Sequence, residues 1–333
     1  MARETSAGPT VVEAVQAYLA TVQSARSEHT AHSYRSALRS FQDVLAARWG
    51  QPAEKSVHDL PVDGMAWFVA HLKRYAPATE RLYLNAVMGF YGYLSAERLT
   101  DVTLPQLRQL LKQRGRRPGV RLPQFPADQI EFLLEKLIQG VLLSGDNHDG
   151  RLRAMRDRAF LLTLADTGLR VHEACRLRRG DIDWNEGRGV IIGKGDKQAV
   201  VRFSSRSMRA MRDYLAARAA LDGASGRPLP SLPIFARHDK GAGAKIKPIT
   251  TTTGRNIVSA RVAELLGPEA VTQITPHSFR HYFVTTVLRG SGNLKLAQAL
   301  ARHQNIQVTQ RYAHLSDDEL DHGYHDIFEA SKS

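Results

Sequence analysis

The chain has 333 residues and one cysteine, Cys175, so no disulfide can close within it. A Cys-ligated zinc site is excluded by the same shortage. No apolar run reaches the ~18 residues that a membrane-spanning helix needs. The opening stretch, "MARETSAGPT", is polar and lacks the apolar core of a secretory signal. A soluble, cytoplasmic protein is expected, with access to the nucleoid if the source is a bacterium. No Walker-type phosphate loop is present, and no internal repeat or low-complexity block stands out. Negative charge is also in short supply. Lys and Arg number 46 against 33 Asp and Glu, a formal net charge of +13. Such a balance points to a polyanionic partner, most simply nucleic acid.

What is there divides into two textures. The first 112 residues read as helices. "TAHSYRSALRSFQDVLAARWG" sets Tyr34, Leu38, Phe41 and Leu45 on one helical face, with Thr30 as a candidate cap and Gly50 after the end. Arg35, Arg39 and Arg48 take other positions. "PATERLYLNAVMGFYGYLSAE" aligns Leu82, Ala86, Phe90 and Tyr93, and "DGMAWFVAHLKRYA" adds a further helix. Residues 113–125 mix Gly, Pro and basic residues and read as a linker, either a plain spacer or a segment lying along a phosphate backbone. From 126 to 333 the pattern is again mainly helical, except for "GRGVIIGKGDKQAVVRFSS", two β-branched runs about a Gly-Lys-Gly-Asp tip that read as a hairpin.

Four segments could carry chemistry. In "TPHSFRHYFVTTVLRG", Thr275 and Pro276 start a helix whose stripe is Phe279, Phe283 and Val287. Arg280 sits in an apolar turn, where an unpaired charge is costly, so it should meet an anion or a structural partner. His277 and His281 have a spacing that suits a metal, but no carboxylate is near and the surroundings are cationic, so no metal is expected. In "ADTGLRVHEACRLRRGDIDW", Glu173 lies one turn after Arg170 and is placed to hold its guanidinium. In "GKGDK", the flanking glycines leave Lys194 reach and freedom. His303 ends a helix built on Leu296, Ala299 and Leu300, and Tyr312 follows it in "ARHQNIQVTQRYAHLS". Together these residues suit attack of a tyrosine hydroxyl on a phosphodiester. Clustered cations favour the phenolate, arginine forks bind the nonbridging oxygens, and a lysine can protonate the leaving hydroxyl. The phosphotyrosine ester retains the bond energy, so no cofactor is called for.

In order and spacing, "TGLRVHEACRL", "IIGKGDKQAVV", "TPHSFRHYFVTTVLRG" and "ALARHQNIQVTQRYAHLS" resemble the four boxes of the tyrosine recombinases of the phage-integrase family, Xer- or Cre-like. The resemblance covers nearly the whole chain. It implies a mainly α fold: a helical, SAM-like core-binding domain, then a mostly helical catalytic domain with a small antiparallel β-sheet. It implies that Arg170, Arg280 and His303 bind the scissile phosphate, that Lys194 is the general acid and that His277 assists. Tyr312 would be the nucleophile, and Glu173 would orient Arg170. Tyr324 is a rival whose spacing from His303 fits poorly. Arg35, Arg39, Arg114, Arg116, Arg117 and Arg302 are the expected DNA contacts. Two departures stand out: Arg302 replaces the family's usual glycine, and Phe279 its usual leucine.

The implied reaction is site-specific exchange between duplex DNA sites, through a 3′-phosphotyrosine and a Holliday junction, by a homo-tetramer or a hetero-tetramer with a paralogue. The apolar steps Leu320, Tyr324, Ile327 and Phe328 in the tail suit docking into a neighbouring protomer or packing on their own domain. A type IB topoisomerase-like enzyme and an inactive DNA-binding regulator are the alternatives.

Overall fold

The computed structural model describes residues 8–116, 126–140, 148–193, 198–239 and 246–302. The chain divides into two compact units, Met1–Val120 and Arg121–Ser333.

The first unit is helical, with α1 (Val11–Ala25), α2 (Glu28–Arg48), α3 (Gly64–Leu72), α4 (Pro77–Ala96) and α5 (Leu104–Arg114). Each helix buries one face in a shared core. From α2 come Leu38, Phe41 and Leu45, as their spacing predicts, with Tyr34 packed at the edge. The cap of α2 is Ser27 rather than Thr30. The Ser27 hydroxyl accepts from the Thr30 amide, so Thr30 already belongs to the first turn. On α4 the buried set is Leu84, Ala86, Val87, Phe90, Tyr91 and Leu94, while Leu82 is exposed. This helix is apolar nearly all round, so spacing alone could not choose its inner face.

The second unit contains α6 (Ala127–Ile138), α7 (His148–Thr167), α8 (Val171–Arg176), α9 (Ser205–Ala217), α10 (Ala219–Ala224), α11 (Thr251–Leu266), α12 (Pro276–Ser291) and α13 (Leu294–Ala301). Between α8 and α9 lie β1 (Ile182–Asp183), β2 (Arg188–Ile192) and β3 (Gln198–Arg202), an antiparallel sheet in the order β1-β2-β3. The expected hairpin is thus β2–β3, with Val190 opposite Val200. Helix α7 runs through the core, burying Phe160, Leu161, Leu162 and Leu164, and packs against α9 and α12. Such an all-round apolar stretch is what a central helix requires.

Two details differ from the sequence reading. On α12, Phe279 and Val284 are the fully enclosed apolar residues, and Phe283 and Val287 are half-buried. On α13 the buried residues are Ala297 and Ala301, not Leu296, Ala299 and Leu300. The small alanine face lets α13 lie close to α12.

Candidate active site

The site grows from the end of α7. Gly168 adopts φ +59, the left-handed conformation that stops a helix at low cost. A Cβ at this position would collide with the Phe283 ring. The chain then turns at once into α8, with Arg170 as its N-cap residue. Glu173, in the first turn of α8, accepts the Arg170 backbone N–H at Oε2, 2.8 Å away. Its Oε1 accepts from Arg170 Nη1 at 2.9 Å. One carboxylate therefore fixes both the start of the helix and the pose of the guanidinium.

Helix α12 brings the second arginine. The Thr275 amide donates to Ser278 Oγ at 3.0 Å and Pro276 occupies the first turn, as the sequence suggests. One turn in, Arg280 is 4% exposed. Its Nη1 donates to the Gly168 carbonyl and its Nη2 to the Ala301 carbonyl. Arg280 thus meets the carbonyl ends of α7 and α13, where a cation is favoured. His277 and His281 meet edge to face with ring centroids 4.2 Å apart. Burial, then the charges of Arg280 and Arg170, lowers the pKa of His277. Burial, then His277 and Arg280, pushes His281 down to about 4.

Arg302, the cap residue of α13, has φ 57 and ψ 41, also left-handed. Rather than reaching outward, its Nη2 lies 3.4 Å from Glu173 Oε2 and 3.5 Å from the Gly168 carbonyl oxygen. Arg170, Glu173, Arg302, the Gly168 carbonyl and Arg280 therefore form one connected polar chain. Burial opposes the charge of Glu173, but the Arg170 amide, Arg302 and the Arg170 guanidinium outweigh it and hold its pKa below the usual value. A guanidinium at this turn, already paired to a carboxylate, is the feature the sequence did not reveal. Its partner is 129 positions away, and no local spacing signals it.

Of the expected site residues, Arg170, Glu173, His277, Arg280 and Arg302 are brought together at the junction of α7, α8, α12 and α13. Lys194, His303 and Tyr312, with the rival Tyr324, lie outside the described residues, as does Arg117. In the first unit, Arg35 and Arg39 are exposed on α2. With His32, Asp43, His71, Arg74, Tyr75 and Tyr83 they line a groove of about 470 Å³. Arg114 is exposed at the end of α5. Arg116 is engaged internally: Nη1 donates to the Tyr75 carbonyl, Nη2 to that of Lys73, and Nε pairs with Glu80 at 3.1 Å.

A helical unit followed by a mainly helical one with a three-stranded sheet, its arginines gathered at a helix junction, defines a class. Residues 127–319 match the Phage integrase family, and residues 15–98 match the Phage integrase, N-terminal SAM-like domain. The chain belongs to the phage integrase family, the tyrosine recombinases. Among its relatives, the tyrosine recombinase XerC of Pelobacter propionicus is 29% identical over 316 residues, covering 93% of each chain. That of Treponema denticola is 27% identical over 300 residues, covering 89% of this chain and 91% of the relative. In fold, the chain resembles XerH site-specific recombinase bound to palindromic difH substrate, with a TM-score of 0.64, 18% identity and coverage of 90% and 80%. It also resembles a lambda integrase dimer bound to a COC′ core site, with a TM-score of 0.60, 15% identity and coverage of 92% and 95%.

Proposed function

We propose that this chain is a site-specific DNA recombinase that cuts and rejoins duplex DNA through a 3′-phosphotyrosine. The observation that carries the reading is the polar chain from Arg170 through Glu173 and Arg302 to Arg280, inside the segment that matches the phage integrase family.

In this reading the phosphate binds at Arg170, whose side chain is 46% exposed while its carboxylate partner is buried. A guanidinium held by Glu173 loses little freedom when it meets a phosphate, which is the preorganisation that electrostatic catalysis needs. Arg280, anchored on two carbonyls, supplies a second positive charge at the same junction, and His303 a third phosphate contact. The Tyr312 oxygen attacks phosphorus and forms the O–P bond. The bond from phosphorus to the 5′ oxygen breaks, and Lys194 delivers the proton that the leaving hydroxyl takes up. The energy of the broken ester is kept in the new one, so a 5′ hydroxyl from a second duplex can reverse the step and complete exchange through a Holliday junction. His277, held below its ordinary pKa, is neutral at neutral pH and suits a proton-accepting or positioning role.

The first unit would track duplex DNA with the Arg35 and Arg39 groove. The basic segment 113–125 would join it to the catalytic unit, with Arg114 and Arg117 as phosphate contacts. Arg116 serves the fold of the first unit, and Arg302 the site itself. Assembly as a tetramer on two sites follows from the need to exchange four strands. Action in the cytoplasm, at the nucleoid, fits the bacterial XerC relatives.

The test is covalent capture. The full-length chain is incubated with nicked duplexes of randomised sequence, denatured, and the protein-bound DNA is sequenced. A defined site should be enriched, and Tyr312→Phe should yield no adduct. An adduct that persists in Tyr312→Phe would remove that residue from its role. Two differently labelled copies of the enriched site should then exchange ends. Plasmid relaxation without exchange would favour the topoisomerase alternative.

A further inference from the structure

Arg302 holds a left-handed backbone conformation that is unusual for its residue type, and its side chain turns inward to the site. The left-handed turn is less favourable for a residue with a Cβ than for glycine. Glycine is what the related sequence pattern has here. The side chain is 12% exposed and runs to Glu173, itself 2% exposed. A buried carboxylate paired only with a half-exposed guanidinium is poorly compensated, and a second cation remedies that. The division of labour on Glu173 is specific. Oε1 takes the Arg170 guanidinium, and Oε2 takes the Arg170 amide together with Arg302. Arg302 also reaches the Gly168 carbonyl, the acceptor that Arg280 uses. It therefore contacts both the holder of Arg170 and the anchor of Arg280.

We propose that Arg302 is a positioning residue: it clamps Glu173 and the Gly168 carbonyl, so that the two site arginines, Arg170 and Arg280, are set relative to each other before DNA binds. What those arginines bind rests on the recombinase reading.

The experiment uses the full-length chain and a nicked duplex carrying the site recovered by covalent capture. Single-turnover cleavage, DNA affinity and thermal midpoint are measured for wild type, Arg302→Gly, Glu173→Gln and the double variant. Glycine suits the left-handed turn, which offsets the lost Arg302–Glu173 pair, so Arg302→Gly should melt close to wild type. Its cleavage rate should fall about tenfold through misplacement of the arginines, with DNA affinity within about twofold. In the Glu173→Gln background the same change should cost less than about twofold, because the link is already broken. Cleavage at the wild-type rate in Arg302→Gly, or an equal tenfold loss in both backgrounds, would overturn the proposal. So would a loss of rate that merely tracks a lower thermal midpoint. A wild-type chain that captures no DNA at all would instead overturn the recombinase reading, and this inference with it. The two failures are thus distinct.

Discussion

His281 is held largely uncharged at neutral pH by burial beside His277 and Arg280, with its pKa at about 4. In the unfolded chain it would take up a proton near its ordinary value of 6.5. The unfolded state thus binds more protons between those values. The folded state is favoured above about pH 6.5 and loses that advantage as pH falls towards 4. Thermal midpoints from pH 7 to 4.5 should therefore decline less steeply in His281→Gln than in wild type; parallel curves would rule this group out. At the same scale the sequence was informative where partners are close in number. Arg170 and Glu173 are three apart, and their pairing was legible. Arg302 was read as a contact for DNA, yet it points inward, because its partner Glu173 becomes a neighbour only when α8 and α13 meet.

Among the elements, the joint between α7 and α8 carries the greatest constraint. Gly168 combines a positive φ, a tight approach to Phe283 and a carbonyl that accepts from Arg280 and Arg302. Gly168→Ala should lower stability by at least about 1–2 kcal/mol, from the left-handed penalty alone. Denaturant unfolding checks the value, and a change below a few tenths would show that the joint relaxes without cost. Helices with a clear polar face, such as α2, were placed correctly by spacing. Those that are apolar on several sides or faced with alanine, α4 and α13, were offset. Their inner faces are chosen by neighbouring helices, not by their own pattern. The β2–β3 hairpin was visible because its alternation has no helical equivalent.

For the whole molecule, two cores and an excess of positive charge are the defining properties. Apolar clusters form separately within each unit, which is why a change of texture along the sequence sufficed to suggest two domains. The net charge of +13 was equally plain, but where it acts was not. Arg116 is spent on Glu80 and two carbonyls, whereas Arg35 and Arg39 remain exposed on one helix. If those two touch phosphates, replacing both with alanine should reduce the slope of log affinity against log salt by about 1.8, roughly 0.9 for each contact. Titration of the captured duplex from low to moderate salt measures it. An unchanged slope would place the DNA elsewhere on this unit.

Cys175 is 3% exposed, its sulfur lies 3.5 Å from the Thr250 carbonyl, and burial pushes the thiol up to about 12. Maleimide dyes should therefore leave the native protein unlabelled. Any thiol introduced at the surface becomes a unique handle, so a donor on one unit and an acceptor on the other could follow their separation by fluorescence during strand exchange, with no native residue removed first.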